Sequence, residues 1–547
     1  MFRLIIKEIK KHQDKLLLAF ASFCLSILQI RKIGGLDVGV LKSKIIYPLP
    51  FDDSPFYLFQ LKRFLDGEYS FGDGAIIEQF HSGYSAGSSF ILAFWGVFGD
   101  LFDLSLLLTY LAMVLISSTL LLFSTYLFFV ELEIQKKVSR LFAIVIFSLA
   151  FGFELGRPSP TQQTLWLAVF AFVWILKLSR NFSLRISVAV SILIMILVLC
   201  NPVYALSVFA FYILTVLGFH KKKLQKLSSA LPVSVALIVF NRIFLSPSSL
   251  SEQDQLSRFG LFHSRLPGAF NSSIQLILMA AILRIIYRKT LYWPMLVLSN
   301  LCISLLIALN SQVITNHNFE MQSHLGILVR FTIFSSLLFC GIEFFKSNHF
   351  QIHRVARKLF FGIFEFLVLI VLISQVISVN HQQRDREDIS HISDLVFQLK
   401  QEKYAGKVFV ISEGKIDLDL LSYLALNSKI KLYWYPEARF AKISDEELFQ
   451  RFSCTLKKTV DIGDIHKYET FLFAHKLVNQ EQFFSKWNSS LAHFGLSTYW
   501  KDKKWSSYKN AYESIAKFQK SCRTGSFIKK ADFKIDENLI IRDLGTS

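Results

Sequence analysis

Two adjacent aspartates in the segment FDDSPFYLFQLKRFLDGEYSFGD are the leading candidates for catalysis. Asp52 and Asp53 precede residues 54–65, whose apolar spacing predicts an amphipathic helix. A carboxylate at this position can act as a general base or hold a divalent cation such as Mg²⁺ or Mn²⁺. It can equally cap the helix, so both interpretations stay open. Glu78 and His81, in the downstream segment IIEQFHSGYSAG, are further candidates.

A second group of polar residues lies in the short segment FELGRPSPTQQ, residues 153–163. Its Glu154 is a candidate second acid and, with Asp53, a candidate metal ligand. Arg157 suits an anionic phosphate, because a guanidinium forms paired, charge-assisted hydrogen bonds. The alternative is an arginine that reaches toward lipid headgroups.

A third group closes the segment NSQVITNHNFEMQSH, residues 310–324. Gln322 and His324 are candidate ligands there, and Arg330 follows within the next apolar run. An arginine in a membrane-spanning helix costs about 2.5–3.5 kcal/mol, so it should face protein, water or a ligand phosphate. The alternatives are an Arg330 that reaches toward headgroups and a His324 that is simply hydrogen-bonded. Arg258, in the loop 246–270, is a weaker candidate that nothing separates from solvated loop residues.

The composition decides what must position these groups. Of 547 residues, 52% are hydrophobic and only 18% are charged, against about 25% charged in soluble domains. Such a chain cannot cover itself with polar surface, which excludes a wholly soluble enzyme and a disordered protein. Six cysteines are too few for a disulfide framework.

Apolar runs between charges predict about eleven membrane-spanning helices, since a bilayer requires about 20 apolar residues per crossing. The predicted spans are 14–32, 104–130, 138–153, 164–179, 184–200, 202–219, 228–246, 270–288, 291–309, 325–345 and 358–379. The short aromatic segment 85–99 is expected to be interfacial or re-entrant.

Clusters of Lys and Arg occupy alternate connections between these spans, which predicts a cytoplasmic N-terminus and an outer C-terminus. The same clusters account for most of the net charge of +19, and no nucleic-acid module accompanies them, so nucleic acid is not an expected partner. No cleavable signal peptide is expected. The predicted fold is therefore a polytopic α-helical membrane domain, residues 1–380, with a large first outer loop, residues 33–103.

Residues 381–547 form a second predicted domain, a soluble α/β unit with a partly parallel sheet. Strands are predicted at 407–411, 429–435 and 470–477, and helices at 390–403, 418–427, 445–452 and 481–494. Cys454 and Cys522 either form a disulfide or remain two buried thiols. No nucleotide motif or zinc-ligand spacing is present.

This arrangement resembles the GT-C glycosyltransferases, which include oligosaccharyltransferases, protein O-mannosyltransferases and aminoarabinose transferases. The matching segments are FDDSPFYLFQLKRFLDGEY, FELGRPSP and, more weakly, TNHNFEMQSHLGILVR. The resemblance implies that Asp52 or Asp53 is the catalytic carboxylate and Glu154 a second acid. It also implies that Arg157 and Arg330 bind the donor phosphate.

The expected function is transfer of a sugar from a polyprenyl-phosphate donor to a glycan, lipid or protein acceptor at the outer membrane face. The expected location is a bacterial inner membrane, with the C-terminal domain in the periplasm. A polysaccharide polymerase or ligase is the nearest alternative. A transporter or a non-catalytic scaffold is the alternative from another class, although few charges lie within the predicted spans.

Overall fold

The computed structural model describes two large helical regions and several shorter pieces. Described are residues 24, 25, 27, 44–46, 54–67, 86–151, 155–219, 270–315, 321–346, 395–400, 408–411, 418–428, 430, 432, 531–536 and 539–543. The helices are α1 Ser54–Leu65, α2 Ala86–Leu101, α3 Leu106–Glu131, α4 Lys136–Ile146 with a π-helical turn Phe147–Phe151, α5 Pro160–Gln163, α6 Leu165–Arg180, α7 Leu184–Cys200, α8 Pro202–Phe219, α9 Phe270–Thr290, α10 Trp293–Leu309, α11 Gln312–Thr315, α12 Met321–Lys346 and α13 Leu418–Leu426.

Helices α3, α9 and α12, together with the continuous run Pro160–Arg180, meet the length and composition needed to cross a membrane. The described part of the chain thus contains four candidate spans, and α7, α8 and α10 are shorter apolar helices. The predicted spans between 104 and 219, and between 270 and 345, coincide with apolar helices. The predicted spans 228–246 and 358–379 lie outside the described residues, as does 14–32 apart from three helical residues. The total of eleven spans stays a prediction.

Hydrogen bonds between helix ends show that successive helices run in alternate directions. At one end, here called the loop end, the Tyr110 hydroxyl donates to the Gly156 carbonyl. Asn201 Nδ2 donates to Thr164 Oγ1 (3.4 Å), and Asn310 Nδ2 donates to Ser273 Oγ (3.1 Å). The start of α3 therefore lies beside the start of α6, and the end of α10 beside the start of α9.

The opposite end of the bundle, here called the basic end, gathers Lys177, Arg180 and Glu131. Arg180 Nη1 lies 3.4 Å from a Glu131 carboxylate oxygen, and Lys177 Nζ lies 3.9 Å from the other. The Arg180 guanidinium also stacks 4.8 Å from the centre of the Trp293 ring. The end of α3, the end of α6 and the start of α10 thus meet. This arrangement agrees with the predicted clustering of positive connections on one side, while the membrane orientation itself stays a prediction.

Helix α2 covers nearly all of the segment 85–99, which was predicted to be interfacial or re-entrant. It is 16 residues long, about 24 Å, which is shorter than a bilayer crossing. Its side chains Phe90, Phe94, Val97 and Leu101 are exposed and recur at helical spacing, so they form one apolar stripe. The opposite face of α2 packs on α1, which confirms the predicted amphipathic helix at 54–65.

Gly96 allows the close crossing of α2 over α1. A Cβ at this position would lie 2.3 Å from Phe64 Cβ and 3.0 Å from the Phe64 carbonyl carbon. We expect Gly96→Ala to lower the free energy of unfolding by about 1–3 kcal/mol through overpacking. Thermal unfolding of the purified protein in detergent measures this. Gly341→Ala is the control, because a Cβ there meets nothing within 4 Å. Equal melting temperatures for the two variants would contradict the crossing.

Residues 381–547 are called the tail below. There, β1 Val408–Ile411 confirms the strand predicted at 407–411, and α13 confirms the helix predicted at 418–427. The strands β2 Ala531–Asp536 and β3 Leu539–Asp543 were not predicted. The three strands form an antiparallel sheet of order β1-β3-β2, in which Val408 pairs with Arg542. The described strands pair antiparallel, while the predicted partly parallel sheet stays a prediction, because the predicted strand 470–477 lies outside the described residues.

The remaining predictions for the tail fall mostly outside the described residues. Residues 395–399 are helical, within the helix predicted at 390–403. Of the strand predicted at 429–435, only residues 430 and 432 are described. The segments 445–452, 470–477 and 481–494 and the two cysteines Cys454 and Cys522 lie outside the described residues.

Candidate functional site

A pocket of about 380 Å³ opens at the loop end, where α1, the turn between α2 and α3, and the tail meet. Three lysines and three aspartates line it, and we call it the Lys–Asp pocket. Its volume falls in the range of small-molecule sites, about 300–1,000 Å³. The lining residues are Lys44, Lys62, Leu65, Asp66, Asp100, Asp103, Leu104, Ser105, Leu106, Lys400, Leu426 and Asn427.

Lys62 joins α1 to the tail at the floor of this pocket. Its Nζ donates to the Leu426 carbonyl (2.9 Å) and to the Ser428 carbonyl (2.8 Å). These carbonyls lie at the C-terminal end of α13, where helix carbonyls lack intrahelical partners and the helix dipole is negative. A lysine there caps the helix and holds it against α1.

Asn427 makes a second connection, to the segment that precedes α1. Its Oδ1 accepts from the Ile46 N–H (2.9 Å), and its Nδ2 donates to the Ile46 carbonyl (2.7 Å). The amide thus pairs with both backbone groups of one residue, as a neighbouring β-strand would. This pairing fixes the backbone two residues from Lys44, which lines the pocket and has a positive φ of 54°.

Asp100 and Asp103 belong to the turn that ends α2. The Leu104 N–H donates to the Gly99 carbonyl (2.8 Å), and the Asp103 N–H donates to the Asp100 carbonyl (3.1 Å). This is a Schellman motif, in which Asp103 occupies the left-handed position usually taken by glycine, with φ 49°. An aspartate at such a position is strained, and strain of this kind is often retained at functional sites.

The next helix begins directly at the pocket. Ser105 is the N-cap of α3, and its Oγ accepts from the Leu108 N–H at 3.4 Å. The positive end of the α3 dipole therefore faces the pocket beside Lys44 and Lys400. This side of the pocket suits a negatively charged group such as a phosphate.

The polar segment 153–163 and His324, at the end of the polar segment 310–324, meet at the same end of the bundle. The Tyr110 hydroxyl, one turn into α3 from the pocket, holds Gly156, and Gln163 Nε2 donates to the Arg157 carbonyl at 3.0 Å. Thr161 Oγ1 lies 3.4 Å from His324 Nδ1. The structure thus brings the Arg157 loop and His324 together, although neither residue lines the Lys–Asp pocket.

Arg330 does not lie at the loop end with these residues. It follows His324 on α12 by about 9 Å along the helix axis, and its side chain is exposed. Its neighbour Phe331 packs instead between Phe128 and Phe151. Arg330 therefore lies on an exposed face of α12 and does not line the Lys–Asp pocket.

The other predicted site residues fall outside what the structure describes. Asp52 and Asp53 immediately precede Ser54, the buried first residue of α1. For Gln322, the backbone is helical and the side chain is not described. The predicted residues that lie outside the described part of the chain are Asp52, Asp53, Glu78, His81, Glu154 and Arg258.

The charged residues of the Lys–Asp pocket were not among the site residues predicted from the sequence. Asp100 and Asp103 stand three residues apart in the otherwise apolar segment GDLFDLS, and that spacing was an available signal. Lys62 and Asn427 gave none, because they are 365 positions apart in the chain and meet only through folding.

Within the described residues, no three side chains of His, Cys, Asp and Glu converge on a metal site. The predicted ligands Asp53 and Glu154 are outside that set. Comparison of the sequence with protein-family models and with curated proteins finds no match.

Proposed function

We propose that this chain is a membrane glycosyltransferase that uses a polyprenyl-phosphate sugar at the outer face of the membrane. The observation that carries the proposal is the Lys–Asp pocket: acids and cations share one cavity at the end of an apolar helical bundle. Such a cavity can hold a phosphate and a sugar while the lipid part of the donor stays in the membrane.

The apolar stripe of α2 supports a lipid-linked donor in particular. Phe90, Phe94, Val97 and Leu101 are exposed along this helix, which ends at Asp100 and Asp103 in the pocket. A prenyl chain lying on the stripe places its phosphate at the pocket mouth. There the N-terminus of α3 and the lysines Lys44 and Lys400 offer positive charge.

The chemistry needs a base and a stabilised leaving group. Asp103 is our candidate base in the pocket: it takes the proton of the acceptor hydroxyl while that oxygen attacks carbon one of the sugar. The polyprenyl phosphate departs with the electrons of the broken carbon–oxygen bond, and the lysines stabilise its charge. Direct attack inverts the configuration at carbon one.

Residues predicted from the sequence complete the proposed site. Asp52 or Asp53 stays an alternative base, and Asp53 with Glu154 is the proposed position for Mg²⁺ or Mn²⁺. Arg157 and His324 lie at the loop end and are proposed to contact the donor. Arg330 is proposed to contact the phosphate only of a donor that lies along the outside of the bundle.

A transfer assay tests the proposal. Membranes containing the chain receive polyprenyl-phosphate donors with radiolabelled sugars, and label is followed into acceptors and into water. We expect chain-dependent loss of label from at least one donor, and we expect Asp52→Asn or Asp53→Asn to abolish it if that residue is the base. The proposal is contradicted if membranes that contain the chain consume no more donor than membranes that lack it. Chain-dependent movement of intact donor across the membrane would favour a transporter instead.

A product of growing length would identify the alternative within the same class, a polymerase. A single addition indicates a transferase with a glycan, lipid or protein acceptor. Full donor consumption by variants lacking every loop carboxylate would remove the catalytic assignment.

A further inference from the structure

Arg284 is an ionisable residue within the candidate span α9, and the described structure holds its side chain in a fixed place. Its Nε donates to Ser299 Oγ (3.0 Å), and its Nη2 donates to Asn300 Oδ1 (2.7 Å). Both acceptors lie on α10, the helix against which α9 packs. A guanidinium in a spanning segment is costly, so such fixed bonds point to a role.

The two acceptors are themselves oriented by the backbone. Ser299 Oγ donates to the Ala280 carbonyl (3.2 Å), so its lone pairs remain for Arg284. Asn300 Nδ2 donates to the Leu214 carbonyl (3.4 Å), which turns Oδ1 toward Arg284. Every donor and acceptor in this network has one consistent direction. The network therefore positions the guanidinium before any ligand binds.

Arg284 retains binding capacity. The two bonds to α10 use two of its five N–H groups. One turn further along α9 lies Arg288, which is exposed, and no ion pair joins either arginine to an acidic side chain among the described residues. Two adjacent cations without a described anion favour a negatively charged ligand.

The surface beside the two arginines is apolar. Ile274, Ile277, Leu278, Ile282 and Ile285 are exposed along α9, and the helix then ends in Arg288 and Lys289 at the basic end. The order is therefore a long apolar face followed by positive charge. This order matches a phospholipid, whose acyl chains are followed by a phosphate.

We propose that Arg284 and Arg288 bind the phosphate of an anionic phospholipid whose acyl chains lie along the exposed apolar face of α9. Basic sites between helices are a known mode of recognition for anionic headgroups. The site lies at the basic end, opposite the Lys–Asp pocket, and does not depend on the proposed glycosyltransferase activity.

Native mass spectrometry of the full chain in detergent tests the proposal, with phosphatidylglycerol as the probe and phosphatidylcholine as the neutral comparison. We expect preferential binding of phosphatidylglycerol. We expect Arg288→Gln to weaken it about fivefold and Arg284→Gln with Arg288→Gln about 25-fold, as each basic residue near a lipid surface contributes about one such factor. Arg284→Lys keeps the charge but cannot make both bonds to α10, so it should retain only part of the binding.

Arg185→Gln is the matched control, because Arg185 is also exposed and also lies near the basic end. It should leave phosphatidylglycerol binding unchanged. Equal binding by the double variant and the native chain overturns the proposal, as does equal weakening by Arg185→Gln. Competition by inorganic phosphate as effective as the lipid would also overturn it, since the apolar face would then contribute nothing. The Arg288 side chain makes no hydrogen bond to another described side chain, so Arg288→Gln tests the site without disturbing the network on α10.

Discussion

Asp103→Gly is expected to raise the stability of the protein while it reduces sugar transfer by about 10²–10⁴-fold. The gain in stability comes from the backbone: Asp103 has φ 49°, at the position of the Schellman motif that favours glycine. Relief of left-handed strain amounts to at most about 1–2 kcal/mol, because aspartate adopts this region more readily than most residues. The loss of transfer reflects removal of the proposed general base.

The opposite signs make the test informative. If Asp103 only ended α2, Asp103→Gly should raise the stability and leave sugar transfer intact. Asp103→Asn separates the two effects, since asparagine tolerates the left-handed region and lacks the carboxylate. It should melt near the native temperature and lose transfer as Asp103→Gly does. Thermal unfolding and the radiolabelled donor assay, on the same preparations, measure both quantities.

The chain offers a matched control at the other end of the bundle. Glu133 has φ 65° in the same motif, where the Ile134 N–H donates to the Phe129 carbonyl at 3.2 Å. Glu133→Gly relieves similar strain and removes an exposed ion pair in which Glu133 Oε1 lies 3.5 Å from Arg180 Nη2. It should leave sugar transfer unchanged. Normal transfer by Asp103→Gly would remove Asp103 from the catalytic site. Equal loss of transfer in both glycine variants would show that rigidity, not the carboxylate, is what matters.

The helices were predictable because a membrane span is a continuous run of about 20 apolar residues in the sequence. A run such as LLLTYLAMVLISSTLLLFSTYLFFVE is apolar on all faces, and no tertiary information is needed to read it as α3. The Lys- and Arg-rich connections were predicted to lie on one side of the membrane. In the structure, Arg180 at the end of α6 contacts Glu131 at the end of α3 and Trp293 at the start of α10. In both cases the signal is carried by neighbouring residues.

The tail and the Lys–Asp pocket were harder to predict for different reasons. The strands β2 and β3 are separated by only two residues, which requires an antiparallel pair. Their charged residues left no clear alternation of apolar and polar residues from which to predict strands. The pocket is assembled from five separate segments of the chain, so no local pattern contains it. Only the two aspartates of GDLFDLS offered a sequence signal.

Lys62→Met is expected to weaken docking of the tail on α1 and to reduce sugar transfer in proportion to the fraction of undocked molecules. Methionine retains the apolar stem but removes the charged donor to the Leu426 and Ser428 carbonyls. A hydrogen bond from a charged group contributes about 1.5–3 kcal/mol, so the open population should rise about ten- to a hundredfold.

Hydrogen exchange reads this opening directly, because the Ile46 N–H is protected by Asn427 Oδ1 in the docked state. In Lys62→Met, peptides containing Ile46 and peptides of α13 should exchange faster, while those of α3 should not change. Asn427→Ala should give the same pattern, since it removes both bonds to Ile46.

Lys400→Met distinguishes docking of the tail from binding of the donor. Lys400 also lines the pocket and belongs to the tail, but it is exposed, and its described hydrogen bond is a backbone one to Val396. We expect it to raise the donor KM without changing exchange at Ile46. If Lys62→Met leaves exchange at Ile46 unchanged, Lys62 does not hold the tail. If the Ile46 N–H loses its protection entirely while transfer stays at the native rate, the tail forms no part of the active site, because catalysis would then proceed with the pocket open on that side.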